Sequence, residues 1–147
     1  MTLFLYDGTY DGFLSAVFCA FPKKESSILR ADGLEGPTLF DTVEVLTDPE
    51  KARRVTSGMK RLSGELPGGL YRAWLSELSP VDDHILAALR LGFQANRDPL
   101  LLRYHPSVKF VCGCIQKVDW EVERMLQFVR FVDTGGVFVA DVEPQFD

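Results

Sequence analysis

The sequence predicts an α+β fold that is mainly α-helical, with a helical core, a long C-terminal helix, and a small sheet of short strands from both termini. Three observations carry this reading. Apolar residues recur at steps of three and four through most of the chain. Short runs of β-forming residues occur only at Thr2–Tyr6, around Asp41–Leu46 and at Val137–Val142. Turn formers separate these segments, as at Asp7-Gly8 and Gly33, Gly36 and Pro37. The length of 147 residues fits one domain, 1–147. A chain of that size buries roughly 70% of its unfolded surface and needs no metal or disulfide to fold.

The elements follow in order. After the first strand, Phe13, Leu14, Val17, Phe18 and Phe21 recur at helical spacing until Pro22 and the basic pair Lys23-Lys24. Asp48-Pro49 is a helix start, since Asp caps free amides and proline at the first position loses no hydrogen bond. That helix runs to about Gly64, with Ala52, Val55, Met59, Leu62 and Leu66 as its buried stripe. A third helix, about Gly68 to Glu77, buries Leu70, Tyr71, Trp74, Leu75 and Leu78. Ser79-Pro80 is expected to start a fourth in the same way as Asp48-Pro49, with Val81, Ile85, Ala88, Leu89, Gly92 and Phe93 inward. Asp98-Pro99 begins a segment that His105-Pro106 breaks or kinks. Val108, Val111, Ile115, Val118, Val122, Met125, Val129 and Val132 then form the seam of one long helix. Phe110, Phe128 and Phe131 widen that face, which favours packing inside one core over a coiled coil between chains.

Composition excludes several classes. Mean hydropathy is near zero, and no window approaches the roughly 18 apolar residues of a membrane span, so no membrane partner is expected. The N-terminus lacks the basic region and cleavage site of a signal peptide, so a cytoplasmic location is the default. Cys19, Cys112 and Cys114 sit among apolar neighbours as reduced thiols. With only His84 and His105 beside them, read as capping or surface residues, no zinc site is expected and no cofactor is implied. Net charge is −5, unevenly placed: residues 1–73 carry 9 basic and 10 acidic side chains, and 74–147 carry 7 and 11.

Three stretches are candidate sites. Lys51, Arg53, Arg54, Lys60 and Arg61 lie off the buried stripe of their helix, with no acid between positions 51 and 61. Such a face can line a phosphate backbone or be an ordinary solvated surface. Tyr6-Asp7-Gly8-Thr9-Tyr10-Asp11-Gly12-Phe13 is a strand-to-helix junction, read first as a structural turn. Its two carboxylates could also serve acid–base chemistry or a divalent cation, with Glu123 as a further carboxylate. On the long helix, Arg124 can pair with Glu121, and Arg130 lies between Phe128 and Phe131 as an ion-pair partner or a phosphate reader.

Three stretches in this order, 5–14, 51–55 and 122–131, resemble a bacterial DNA-metabolism family of unestablished reaction, domain of unknown function 4130. The resemblance covers most of the chain. Its motif positions here are Tyr6, Asp7, Gly8, Asp11, Gly12, Phe128 and Phe131, and residues 138–144 resemble the strand after the family's helix. By that resemblance, members occur beside a DNA-repair radical-SAM protein, and a related domain is fused to uracil-DNA-glycosylase-like domains. The implied role is an accessory or processing component of DNA repair or modification. The chain has Glu123 where the family often has histidine, so no catalytic role for that histidine carries over. Family chains usually continue past the position of Glu143-Pro144, so a C-terminal segment is expected to be missing here.

The leading expectation is a factor that contacts DNA or a partner repair enzyme, with Lys51, Arg53, Arg54, Lys60, Arg61, Arg124 and Arg130 as contacts. Two alternatives stand beside it: a metal-dependent nucleic-acid-processing enzyme, and a protein scaffold for the radical-SAM enzyme. Oligomeric state is not specified.

Overall fold

A computed structural model describes the backbone of residues 1–135 and the side chains through residue 129. The strand expected at Val137–Val142 and the side chains of Arg130 and Phe131 lie outside the described residues. The order is β1 (Thr2–Tyr6), α1 (Tyr10–Ala20), β2 (Ser26–Arg30), β3 (Asp41–Glu44), α2 (Pro49–Leu62), α3 (Leu66–Leu75), α4 (Val81–Ala95) and α5 (Pro106–Gly135), with short 3-10 turns at Ala31–Gly33 and Pro99–Leu101. The fold is α+β and mainly helical, as expected.

The sheet has the order β2-β1-β3 and both pairings are parallel. Thr2 lies opposite Ser26 and Asp41, and Leu5 opposite Leu29 and Glu44. Helix α1 supplies the crossover between β1 and β2 that a parallel pair requires. Central β1 is buried from Leu3 to Tyr6, which explains its uninterrupted apolar run. All four residues of β3 are exposed at the sheet edge. Strand β2 was not expected, because Ser-Ser-Ile-Leu-Arg shows no alternation and buries only Ile28.

Helix α2 starts as its sequence requires: the Asp48 carboxylate accepts from the Glu50 amide at 3.0 Å, with Pro49 at the first position. Helix α3 begins at Leu66 and buries Leu70, Ala73 and Trp74. Tyr71, expected in that stripe, is exposed and meets Tyr10 edge-on, with ring centroids 4.8 Å apart. Ser79-Pro80 does not repeat the Asp48-Pro49 start. Its peptide is cis and Pro80 itself takes the cap position without a side-chain bond. Asn96, in the left-handed conformation, ends α4.

Helix α5 is one continuous helix of about 45 Å. His105 caps it, its Nδ1 accepting from the Ser107 amide at 3.2 Å, and His84 stacks on Phe110 at 4.3 Å. Val108, Val111, Cys114 and Val118 are buried, packed against α3 and α4. Beyond Glu121 the seam residues Val122 and Val129 are about half exposed, at 48% and 55%, as is Leu126 beside them at 55%, while Met125 is partly buried. Among the described side chains, packing inside one core therefore holds for α5 through Glu121 and not for Val122, Leu126 and Val129.

Candidate nucleic-acid interface

The stripe that buries Ala52 and Met59 turns Arg53, Arg54, Lys60 and Arg61 outward. Arg53 and Lys60, and likewise Arg54 and Arg61, are seven residues apart, so each pair lies on one line about 10 Å long. Glu50, just ahead of the cations, bonds Arg53 at 2.5 Å and lies 3.8 Å from Arg54. This holds the Glu50 carboxyl below its ordinary range, the Arg53 hydrogen bond being the main cause. Lys51 does not share the outward face. Its Nζ reaches α1, 3.7 Å from Cys19 Sγ and 5.8 Å from the centroid of Phe18.

Beside this face, a groove of about 750 Å³ lies between α1, α2 and α4. Phe18, Phe21, Val55 and Phe93 give it an apolar floor, and Arg53, Arg54 and Arg61 line it. Phe21 and Phe93 meet edge-to-face at 5.5 Å. Gly58 makes room for Phe93, since a Cβ there would come within 2.9 Å of its ring. The arginines are visible in the sequence and the groove is not, because its floor is assembled from separate helices. The nearest local signal is the pair Phe18 and Phe21 at the end of α1.

The junction after β1 is a capping structure. Asp7 accepts from the Thr9 amide (3.0 Å), Thr9 Oγ1 (2.6 Å) and Thr47 Oγ1 (2.7 Å), and these bonds, Thr9 first, hold its carboxyl below the usual range. Thr9 Oγ1 in turn accepts from the Gly12 amide at 3.0 Å and caps α1. Gly8 has φ of +90°, and a Cβ on Gly12 would lie 2.2 Å from Asp7 Oδ1, so both glycines are required by geometry. Asp11 is exposed in the first turn of α1, and Glu123 is exposed on the outer half of α5. Among the described residues, no group of three or more His, Cys, Asp or Glu is placed to hold a metal ion.

On α5, the expected Arg124–Glu121 pair forms at 3.8 Å, and the Arg124 guanidinium lies over Trp120 at 4.9 Å. Arg124 is therefore held within its own helix and does not line the groove of α2. Phe128 is half-buried.

A second, more polar cleft of about 460 Å³ lies along β2, bordered by Arg30, Trp74, Glu77, Asp82 and Asp83. Buried Tyr6 donates to Asp82 Oδ2 at 2.8 Å and accepts from Trp74 Nε1 at 3.1 Å. Arg30 pairs with Glu77 at 2.9 Å and stacks on Trp74 at 5.2 Å. Asp83 accepts from Ser27 Oγ (2.6 Å) and the Ile28 amide (2.8 Å), so the start of α4 covers part of the outer edge of β2. Burial pushes the Asp82 carboxyl up to about 6, against the Tyr6 bond and the Arg30 charge.

Among the described residues, no helix is long and apolar enough to cross a membrane. Neither a curated protein nor a solved structure matches the chain significantly. Residues 80–147, from the start of α4 onward, match a family model described as a domain of unknown function, DUF4130.

Proposed function

We propose that the protein is an accessory factor of DNA repair or modification that binds nucleic acid through the outward face of α2. The observation that carries this reading is the exposure of Arg53, Arg54, Lys60 and Arg61 on one helix of a chain whose net charge is −5. Cations gathered on one face attract a polyanion that the remaining surface repels, and binding gains from counterion release. The sequence resemblance supplies the DNA direction. In a titration against salt, Arg53→Ala with Arg54→Ala should make the slope of log affinity shallower by about 1.5, the loss of two phosphate contacts. Unchanged DNA and RNA affinity in Arg53→Glu with Arg54→Glu would remove α2 from the reading.

The outer half of α5 favours a second role, docking of a partner repair enzyme of the radical-SAM or uracil-DNA-glycosylase-like kind. Its exposed Trp120, Val122, Leu126 and Val129 are more apolar than a solvated helix end needs. With the purified partner, Leu126→Lys plus Val129→Lys should abolish co-elution while leaving the melting temperature within a few degrees. Co-elution that survives both substitutions would rule out this surface.

A further inference from the structure

We infer that the groove between α1, α2 and α4 takes an unpaired base of single-stranded nucleic acid, its flanking phosphates held by Arg53, Arg54 and Arg61. This rests on the nucleic-acid reading of α2 and names the form of nucleic acid that the face accepts. Bases stack on aromatic rings without regard to sequence, and single-strand sites combine such rings with a cationic track. Both parts are present side by side. Phe18 leaves 36% of its surface open and Lys51 adds a cation beside its ring, while Phe21 and Phe93 extend the floor. The volume falls within the range of ligand pockets, roughly 300–1,000 Å³.

The charged side chains that line the groove are all arginines, and Glu50, which pairs with Arg53 and lies 3.8 Å from Arg54, stands outside the lining and leaves Arg61 without a carboxylate from its own helix. An acyl anion would also suit an apolar floor, but it carries one charge at one end. Arg54 and Arg61, about 10 Å apart along α2, span more than one phosphate. In a duplex the bases are stacked inward and paired, so a duplex can engage the arginines and leave the floor empty.

The test is a titration of the full chain with a labelled oligothymidylate of about twelve nucleotides, a duplex of the same length, and the same sugar-phosphate strand without bases. The single strand should bind more tightly than the other two. Phe18→Ala should weaken single-strand binding roughly 5- to 100-fold, the loss of one stacking contact, and leave duplex binding and the salt slope unchanged. Phe18→Trp, which keeps a stacking face, should retain binding, a rescue that a packing role for Phe18 would not predict.

If single strand, duplex and abasic strand bind alike, and Phe18→Ala moves none of them while Arg53→Glu with Arg54→Glu abolishes all, the base pocket is refuted and the nucleic-acid reading stands. If no strand binds, both fail. Binding of oleate in place of any oligonucleotide would assign the groove to an acyl anion and overturn the inference.

Discussion

Asp82 sits where β1, α3 and α4 meet, and its environment sets opposing demands on one carboxyl. Burial disfavours the charge and lifts the carboxyl from 3.8 to about 6, although Tyr6 donates to it and Arg30 lies near. Tyr6 is raised well above its ordinary range, by burial first and by the Asp82 charge second, so it remains a hydrogen-bond donor throughout the neutral range. Between about pH 4 and pH 6 the native state keeps a proton that the unfolded chain has released, and stability falls as pH rises through that window. The contribution is fully present below the unfolded value and gone above about 6, and a displacement of this size is worth about 3 kcal/mol. Asp7 acts in the opposite sense: its lowered carboxyl adds stability that is lost on acidification. Asp82→Asn leaves Asp7 untouched and keeps an oxygen that accepts from Tyr6. The variant's melting temperature minus that of the wild type should therefore climb from pH 4 to 6 and level off above. A difference that stays flat across this window would show that Asp82 titrates normally.

At the scale of elements, what could be read in advance follows from where each hydrogen bond closes. A helix satisfies its backbone within four residues, so the Asp48-Pro49 start and the stripe of Ala52 and Met59 were legible. A strand closes its bonds on distant residues, and β2, with one buried side chain, left no local pattern to read. The network of Tyr6 and Asp82, 76 residues apart, and the groove floored by Phe18, Val55 and Phe93 likewise join distant residues and leave no local pattern. Periodicity reports that a face can be buried and does not name its partner. In α5, Val111 and Val118 find α3 and α4, whereas Val122 and Val129, on the same seam, are about half exposed. Of the candidate site, the arginines of α2 were legible as charges without intervening acids. Glu50, one residue before them, and the turn of Lys51 toward Cys19 depend on side-chain placement that spacing does not encode.

For the whole molecule, the match to the family begins at residue 80, but the core does not divide there. Tyr6 bonds Asp82, and Ser27 and Ile28 bond Asp83. Arg90 reaches back to the carbonyls of Ala20 and Lys23 at the end of α1. Ile85, Leu86, Leu89, Val108 and Val111 share one apolar cluster with Phe4, Phe13, Leu70 and Trp74. Cutting before residue 80 would expose part of that cluster and leave Asp82 and Asp83 without their partners. If half the burial of those five side chains were lost, at about 2 kcal/mol for each full burial, the cost would be about 5 kcal/mol. That matches the lower end of a domain's entire net stability, roughly 5–15 kcal/mol. The fragment 80–147 should therefore show helical circular dichroism without a cooperative melt, and so should 1–79. Mixing the two should restore one sharp transition, because the interface between them is the core itself. A cooperative melt of 80–147 alone would show that the family segment is self-sufficient and that the sheet and α1–α3 are an addition to it.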